Sequence, residues 1–151
     1  MITLIRRVSK ASVSVHGDII GEISKGLVVY VGIQRDDEVN DLAWIIKKLL
    51  GMRIFEDESQ KMNLSVEGGD YALLVISQFT LLASFKKGYR PSYHNASPPS
   101  SAKVLYSEFI EMLSKQYSGN IQTGAFGKNM EITAIDDGPF SLWLDSRMKS
   151  Y

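Results

Sequence analysis

The sequence predicts an α+β fold, with mostly antiparallel or mixed β-sheets packed against two main helices in a single domain that spans residues 1–151. Short β-rich runs cluster in the first 33 residues and again after residue 120. Only two stretches have helical spacing of apolar residues, and helices do not alternate strictly with strands. That arrangement favours α+β over a doubly wound fold.

The first third of the chain predicts four strands and a helix. Apolar and β-branched residues dominate 2–8, 11–15, 19–23 and 27–33, with glycine-containing turns between the later runs, which predicts an antiparallel meander. A helix follows, with Asp36 or Asp37 as its N-cap. Its apolar face is Val39, Leu42, Ala43, Ile46, Leu49 and Leu50.

The remaining elements surround one very apolar run. Residues 53–55 predict a short strand and residues 56–70 a polar loop. The run 71–79 does not alternate, so we expect a central strand covered on both faces. A long proline-containing connection, 83–101, leads to a second helix capped by Ser100 or Ser101. Strands are expected near 121–123, 130–135 and 140–144, the last two joined by a Gly-Pro turn.

Composition excludes several classes of function. The chain has no cysteine, which rules out disulfides, thiolate metal sites and a cysteine nucleophile. Seventeen basic and seventeen acidic residues balance, so no global field attracts nucleic acid. No run has the length of a membrane span, and the N-terminus lacks the pattern of a signal peptide. We therefore expect a cytoplasmic protein that does not bind a membrane.

The sequence contains few side chains that could serve in acid–base catalysis. The only histidines are His16, in a predicted turn, and His94, in the long loop. A serine esterase would need His94 to reach Ser77 or Thr80, and no nucleophile-elbow pattern is present. No spacing of histidines and carboxylates predicts a metal site, and no glycine-rich fingerprint predicts a nucleotide cofactor. We expect neither a metal nor a cofactor.

The end of the central strand carries a cluster of small polar residues, Ser77, Gln78, Phe79 and Thr80. Taken alone, such residues are equally consistent with simple capping of a strand end and, for the phenylalanine, with a place in the core. Their order, followed by Leu81 and the flanking patterns in 87–92 and 96–99, resembles the first signature motif of the D-aminoacyl-tRNA deacylases. These editing enzymes remove D-amino acids from tRNA.

The pair Gly138–Pro139 resembles the second motif of that family. The resemblance implies that the Gly-Pro bond is cis and enters the active site of the partner subunit of a homodimer. There its backbone would admit a D-amino acid and exclude an L side chain. The family pattern around this pair is Asn-x-Gly-Pro-Val-Thr. This chain has Asp136, Phe140 and Ser141 instead of the Asn, Val and Thr.

Further site residues follow from the same resemblance. Phe126 and Met130 match the stretch that forms the pocket for the terminal adenosine, although core residues would look the same. Arg7 matches a position expected to steady the Gly-Pro pair. The basic residues Lys86, Lys87 and Arg90 follow the first motif and are candidates for contacts with tRNA phosphates.

The resemblance implies a homodimeric hydrolase of D-aminoacyl-tRNA whose partner is the acceptor end of tRNA carrying a D-amino acid. An activated ester with a neighbouring ribose hydroxyl suits a site so poor in catalytic side chains. Catalysis would then be assisted by the 2′-hydroxyl of the RNA. Glycine mischarged on alanine tRNA is a further candidate substrate, since glycine has no side chain that could collide with the Gly-Pro backbone. The rivals are an inactive nucleic-acid-binding module of the same fold and the serine esterase.

Overall fold

The computed structural model describes residues 1–149 of the chain. Within them, six strands form one mixed sheet, two more form a small hairpin, and two α-helices pack against the large sheet. The α+β fold is therefore confirmed. In chain order the elements are β1 (Ile2–Val15), β2 (Asp18–Ile23), β3 (Gly26–Gly32), α1 (Val39–Gly51), β4 (Phe55–Glu56), β5 (Met62–Leu64), β6 (Ala72–Ser77), α2 (Pro99–Gln116), β7 (Ile121–Thr123) and β8 (Glu131–Asp145).

One long strand, β1, organises the antiparallel part of the sheet. The two predicted strands 2–8 and 11–15 are continuous, because β8 pairs along the whole length of one edge. On the other edge, β2 and β3 lie end to end: Ile23 pairs with Ala11, and Gly26 pairs with Val8. The predicted meander is wrong in this respect, since β3 pairs with β1 and not with β2.

The predicted central strand, β6, lies between β3 and β7 and runs parallel to both. Its residues 72–76 are all buried, as expected for a strand that is covered on both faces. Leu73 and Val75 belong to the larger core beneath the helices, whereas Leu74 and Ile76 belong to a second core on the opposite face. Burying each such side chain stabilises the fold by roughly 1.5–3 kcal/mol. The strand ends at Ser77, two residues earlier than predicted.

The first helix lies on the larger core, but it begins differently from the prediction. Glu38 is the N-cap, and it forms a capping box with Asp41. The predicted cap Asp37 is instead buried, where its carboxylate accepts hydrogen bonds from the backbone N–H of Gln34 and from the amino group of Met1, both at 2.6 Å. On the predicted apolar face, Val39 is exposed and Ala43 is half-buried, while the other four residues are buried.

The second helix begins earlier than its predicted serine caps. Pro98 is the N-cap and Pro99 the first helical residue, a position where the missing N–H of proline costs nothing. Tyr106, Phe109 and Leu113 are buried in the larger core. Before this helix, residues 84 and 92 form a bridge that closes an exposed loop.

Two further connections differ from the predicted loops. The predicted polar loop 56–70 contains β5, paired with β4, and a short 3-10 turn at Val66–Gly68. The predicted turn at the Gly-Pro pair is absent because β8 continues through it. No helix within residues 1–149 is long and apolar enough to cross a membrane.

Candidate active site

A cleft of about 850 Å³ opens where the parallel strands β3 and β6 end. The end of β6 supplies two polar side chains, and much of the remaining wall is apolar or aromatic. Its lining residues are Val31, Ile33, Arg35, Ser77, Gln78, Phe79, Tyr93, Ala96, Ser97, Pro98, Pro99, Ala102, Phe126, Gly127, Lys128, Asn129, Met130 and Ile132. The cleft has the size and apolar lining typical of a small-ligand site.

Three residues of the predicted catalytic segment, Ser77, Gln78 and Phe79, form the floor of this cleft. Gln78 donates its backbone N–H to the carbonyl of Val31 at 2.7 Å, which fixes the chain just beyond β6. A short 3-10 turn then begins at Phe79. The first N–H groups of such a turn have no partner inside it. Within the described chain, the backbone N–H groups of Phe79 and Thr80 have no acceptor.

The side chain of Thr80 is held by an amide and not by a base. Gln78 donates its Nε2 hydrogen to Thr80 Oγ1. Thr80 is exposed and does not line the cleft, unlike Ser77, Gln78 and Phe79. The Thr80 hydroxyl therefore contacts a side chain of the cleft floor, Gln78, while Thr80 itself lies outside the cleft.

Aromatic side chains form two walls. Phe79 and Tyr93 meet edge to face with ring centroids 4.9 Å apart, and Phe79 remains 57% exposed. On the other wall, Phe126 packs against Tyr106, whose hydroxyl donates to the carbonyl of Val75 at 3.0 Å. Burial raises the pKa of Tyr106, so this hydroxyl stays a neutral donor. Such walls suit the stacking of a nucleotide base.

Met130 reaches the cleft because Gly124 leaves room beside it. A Cβ at position 124 would lie 2.6 Å from the sulfur of Met130 and 3.0 Å from Ile76 Cδ1. Phe126 and Met130, predicted together from the sequence, thus line the same cleft as the end of β6.

The cleft carries two cationic side chains, Arg35 and Lys128, and no carboxylate among its lining residues. The whole chain is neutral, so this is a local excess of positive charge. Sequence reasoning missed both cations, as well as Tyr93. Arg35 follows the end of β3 closely, and Lys128 follows Gly127, which has a positive φ of 74°. A prediction that the cleft lies where the parallel strands end would have pointed to Arg35.

The pair Gly138–Pro139 lies in a wide bulge of β8, and its peptide bond is cis. The four residues 137–140 lie opposite the single residue Arg7 of β1, because the register shifts between Arg6 and Val8. Both residues of the pair are exposed, and neither lines the cleft. The bulge therefore presents this backbone on the surface of the chain.

Arg7 is buried beneath the bulge. Its Nη1 donates to the carbonyl of Ile54 at 2.5 Å, and its Nε donates to the carbonyl of Asp137 at 3.2 Å. The guanidinium also lies 5.1 Å from the ring centroid of Phe140, a cation–π contact. Phe140, which is larger than the Val of the family pattern, thus packs against the guanidinium of Arg7.

Neither candidate nucleophile, Ser77 or Thr80, has a histidine partner among residues 1–149. His94 Nδ1 lies 3.2 Å from Ser92 Oγ, and no hydrogen bond joins a histidine to Ser77 or Thr80 within residues 1–149. His16 lies in the turn between β1 and β2, with a positive φ of 54°. Over the same residues, no group of three or more histidines and carboxylates is placed to hold a metal ion.

The three predicted phosphate contacts lie outside the cleft. Lys86, Lys87 and Arg90 are exposed on the loop between Ser84 and Ser92, whose backbones exchange hydrogen bonds of 2.8 and 2.9 Å. This loop also exposes two aromatic side chains, at positions 85 and 89.

Comparison with known proteins identifies the family. A family model described as D-Tyr-tRNA(Tyr) deacylase matches residues 4–145. The chain belongs to this family. A D-aminoacyl-tRNA deacylase of Chloroherpeton thalassium is 46% identical over 149 residues, which cover 99% of this chain and 98% of that protein. A second, of Kosmotoga olearia, is 44% identical over 147 residues, covering 97% and 98%.

Two solved structures are similar to this chain over nearly its whole length. The structure of a protein named c-Myc DNA Unwinding Element Binding Protein superposes with a TM-score of 0.92 at 38% identity and covers 96% of this chain and 98% of its own. A probable eukaryotic D-amino acid tRNA deacylase has a TM-score of 0.80 at 17% identity, over 95% and 97%, which supports the fold alone. The predicted family is confirmed: the chain is a D-aminoacyl-tRNA deacylase, a hydrolase whose substrate is aminoacyl-tRNA.

Proposed function

We propose that this deacylase works as a homodimer that hydrolyses D-aminoacyl-tRNA and spares the L form, with each cleft completed by Gly138–Pro139 of the partner subunit. The observation that carries the proposal is the position of this pair. It is exposed on a bulge and absent from the cleft of its own chain, although the family resemblance assigns it to the substrate. A two-fold dimer exchanges such elements reciprocally between identical subunits.

The proposed reaction is hydrolysis of the ester between the amino acid and the terminal ribose. Water adds to the ester carbonyl, the bond from the carbonyl carbon to the ribose oxygen breaks, and that oxygen takes a proton. The products are a free amino acid and tRNA. The backbone N–H group of Phe79, a residue that lines the cleft, is free to stabilise the oxyanion, and a preorganised donor of this kind contributes about 2.7–4 kcal/mol.

The cleft lining contains no histidine or carboxylate that could act as a general base, so the substrate itself would assist the attack of water. The vicinal 2′-hydroxyl of the ribose would assist the attack, as the family resemblance implies. Ser77 and Gln78 line the floor beside the acyl group and position it. Within residues 1–149, Ser77 and Thr80 have no histidine partner, which supports this assignment over a serine nucleophile.

The tRNA end would be held by stacking and charge. Phe126 and Met130 form the wall for the terminal adenine. The excess of positive charge in the cleft suits the phosphates of the acceptor end. Lys86, Lys87 and Arg90 would contact phosphates further along the strand, outside the cleft. We place the enzyme in the cytoplasm, together with this substrate.

Selection against L-amino acids would be steric. The backbone of the Gly-Pro pair would lie where an L side chain projects and leave room for a D side chain. A site that selects in this way does not reject glycine, so glycine mischarged on alanine tRNA is a second proposed substrate.

The rival is a nucleic-acid-binding module without catalysis. It is favoured by the name of one solved relative, the c-Myc DNA Unwinding Element Binding Protein. Against it stands the cleft that residues 77–79 line, because a concave, largely apolar site of this size suits a small acyl group better than a duplex.

The deciding experiment measures hydrolysis of D-, L- and glycyl-tRNA by the purified enzyme, with a simple aryl ester as a fourth substrate. We expect release of D-amino acid and glycine, with the L ester cleaved at least about a hundredfold more slowly, a difference of about 2.7 kcal/mol in activation free energy. Tight binding of DNA without turnover of any aminoacyl-tRNA would favour the rival. Turnover of the aryl ester that is lost in His94→Ala would favour the esterase.

A further inference from the structure

The bulge that carries Gly138–Pro139 has a narrow neck on β1. At one end of the bulge Ser141 pairs with Arg6, and at the other end Asp136 pairs with Val8. The residues between them leave the regular ladder. A bulge of this size has few backbone hydrogen bonds of its own, so its shape depends on side chains at the neck.

Arg6 links the two ends of the neck. Its backbone pairs with Ser141, while its guanidinium reaches across to Asp136. Nε donates to Asp136 Oδ1 at 3.0 Å and Nη2 donates to Oδ2 at 2.7 Å, the bidentate geometry of the strongest arginine–carboxylate pairs. This hydrogen bonding raises the pKa of Arg6, so the guanidinium keeps its charge.

The next residue, Arg7, holds the bulge from the other face of the sheet, since successive residues of a strand point to opposite faces. Arg7 is buried, whereas the Arg6 and Asp136 side chains are 28% and 33% exposed. The Arg6–Asp136 pair therefore lies on the solvent-facing side of the bulge, opposite Arg7.

We propose that Arg6 and Asp136 form a clasp that fixes the position of Gly138–Pro139 and thereby sharpens the discrimination between D- and L-aminoacyl-tRNA. Both are positioning residues, because neither lines the cleft. The inference rests on the proposed function of the Gly-Pro pair. It also explains a departure from the family pattern: Asp136 replaces the usual Asn, and in this chain its charge is matched by Arg6 directly across the neck.

The test is a double-mutant cycle on selectivity. Arg6→Ala, Asp136→Ala and the double variant are assayed for kcat/KM on D- and L-aminoacyl-tRNA, with unfolding measured alongside. Each single change should lower the D-over-L ratio about two- to fivefold, the range that an exposed ion pair supplies. The double variant should lose no more than either single one, because both changes remove the same interaction. The turnover of the D substrate should change little.

A matched control is the Lys10–Glu22 pair, which joins β1 to β2 at 3.4 Å and is exposed. Lys10→Ala with Glu22→Ala should leave the ratio unchanged. The clasp is refuted if the wild-type ratio persists in Asp136→Ala, or if the two single losses multiply in the double variant. A wild-type enzyme that cleaves D and L esters equally would instead refute the proposed function, which separates the two failures.

Discussion

Replacing Gly138 by alanine tests whether the shape of the bulge controls the enzyme. Gly138 has a φ of +136°, a region that L residues rarely adopt. Its added Cβ would lie 2.9 Å from the backbone nitrogen of Phe140 and 3.5 Å from Arg7 Nη2. The backbone contact is the costly one, because Phe140 must move away or the bulge must change its course.

The expected loss combines two terms. A strained backbone conformation costs about 1–3 kcal/mol, and forcing an extra carbon into a packed site costs about 1–3 kcal/mol. The bulge is exposed and can partly relax, so we expect a loss of about 2–4 kcal/mol in the free energy of unfolding, with a fall in Tm of roughly 5–15 °C. The D-over-L ratio should fall as well, because the displaced backbone no longer excludes the L side chain.

The assay is chemical unfolding together with kcat/KM on both substrates. Gly17→Ala is the control: its φ is +88°, but no atom lies within 4 Å of the added Cβ, so it isolates the conformational term. We expect the control to lose about 1 kcal/mol and to keep its selectivity. If Gly138→Ala were as stable as the control, or as selective, the shape of the bulge would not control the enzyme.

Three other predictions concern the floor, the exposed loop and the first helix. Thr80→Ala should keep most of its turnover, and an acyl group trapped on Thr80 would refute this. Replacing Lys86, Lys87 and Arg90 together by alanine should raise KM and flatten its salt dependence at nearly constant kcat; an unchanged salt slope would show that they do not contact phosphate. Burial opposes ionisation of Asp41, but its hydrogen bonds at the start of α1 hold its pKa below the ordinary 3.8. Asp41→Ala should therefore cost about 1 kcal/mol above that pH, and in urea unfolding the difference from wild type should shrink as the pH falls below 3.8.

The sequence predicts well what depends on local pattern. The unbroken apolar run of β6 indicates two covered faces, and Leu73 and Leu74 indeed lie in different cores. Helical spacing identifies both helices. The site residues at the end of β6 and in the stretch 126–130 come together in one cleft, as the family motifs imply.

Long-range pairing is what the sequence does not predict. Nothing local shows that β8 runs along all of β1, so the strand breaks expected near Ser9 and at Gly138–Pro139 are a continuous strand and a bulge instead. Asp37 has the pattern of a helix cap, but partners 3 and 36 residues away in the chain hold it in the interior. The Arg6–Asp136 pair spans 130 residues and is visible only once the register is known.

The central claim, that the bulge of one subunit completes the cleft of the other, is tested most directly by mixing two defective variants. Gly138→Val impairs the bulge, and Ala96→Trp blocks the cleft. A mixed dimer pairs one intact cleft with one intact bulge. After subunit exchange, random pairing should restore about a quarter of the wild-type sites that are selective for the D substrate. A mixture no more active or selective than the two separate variants would contradict the account.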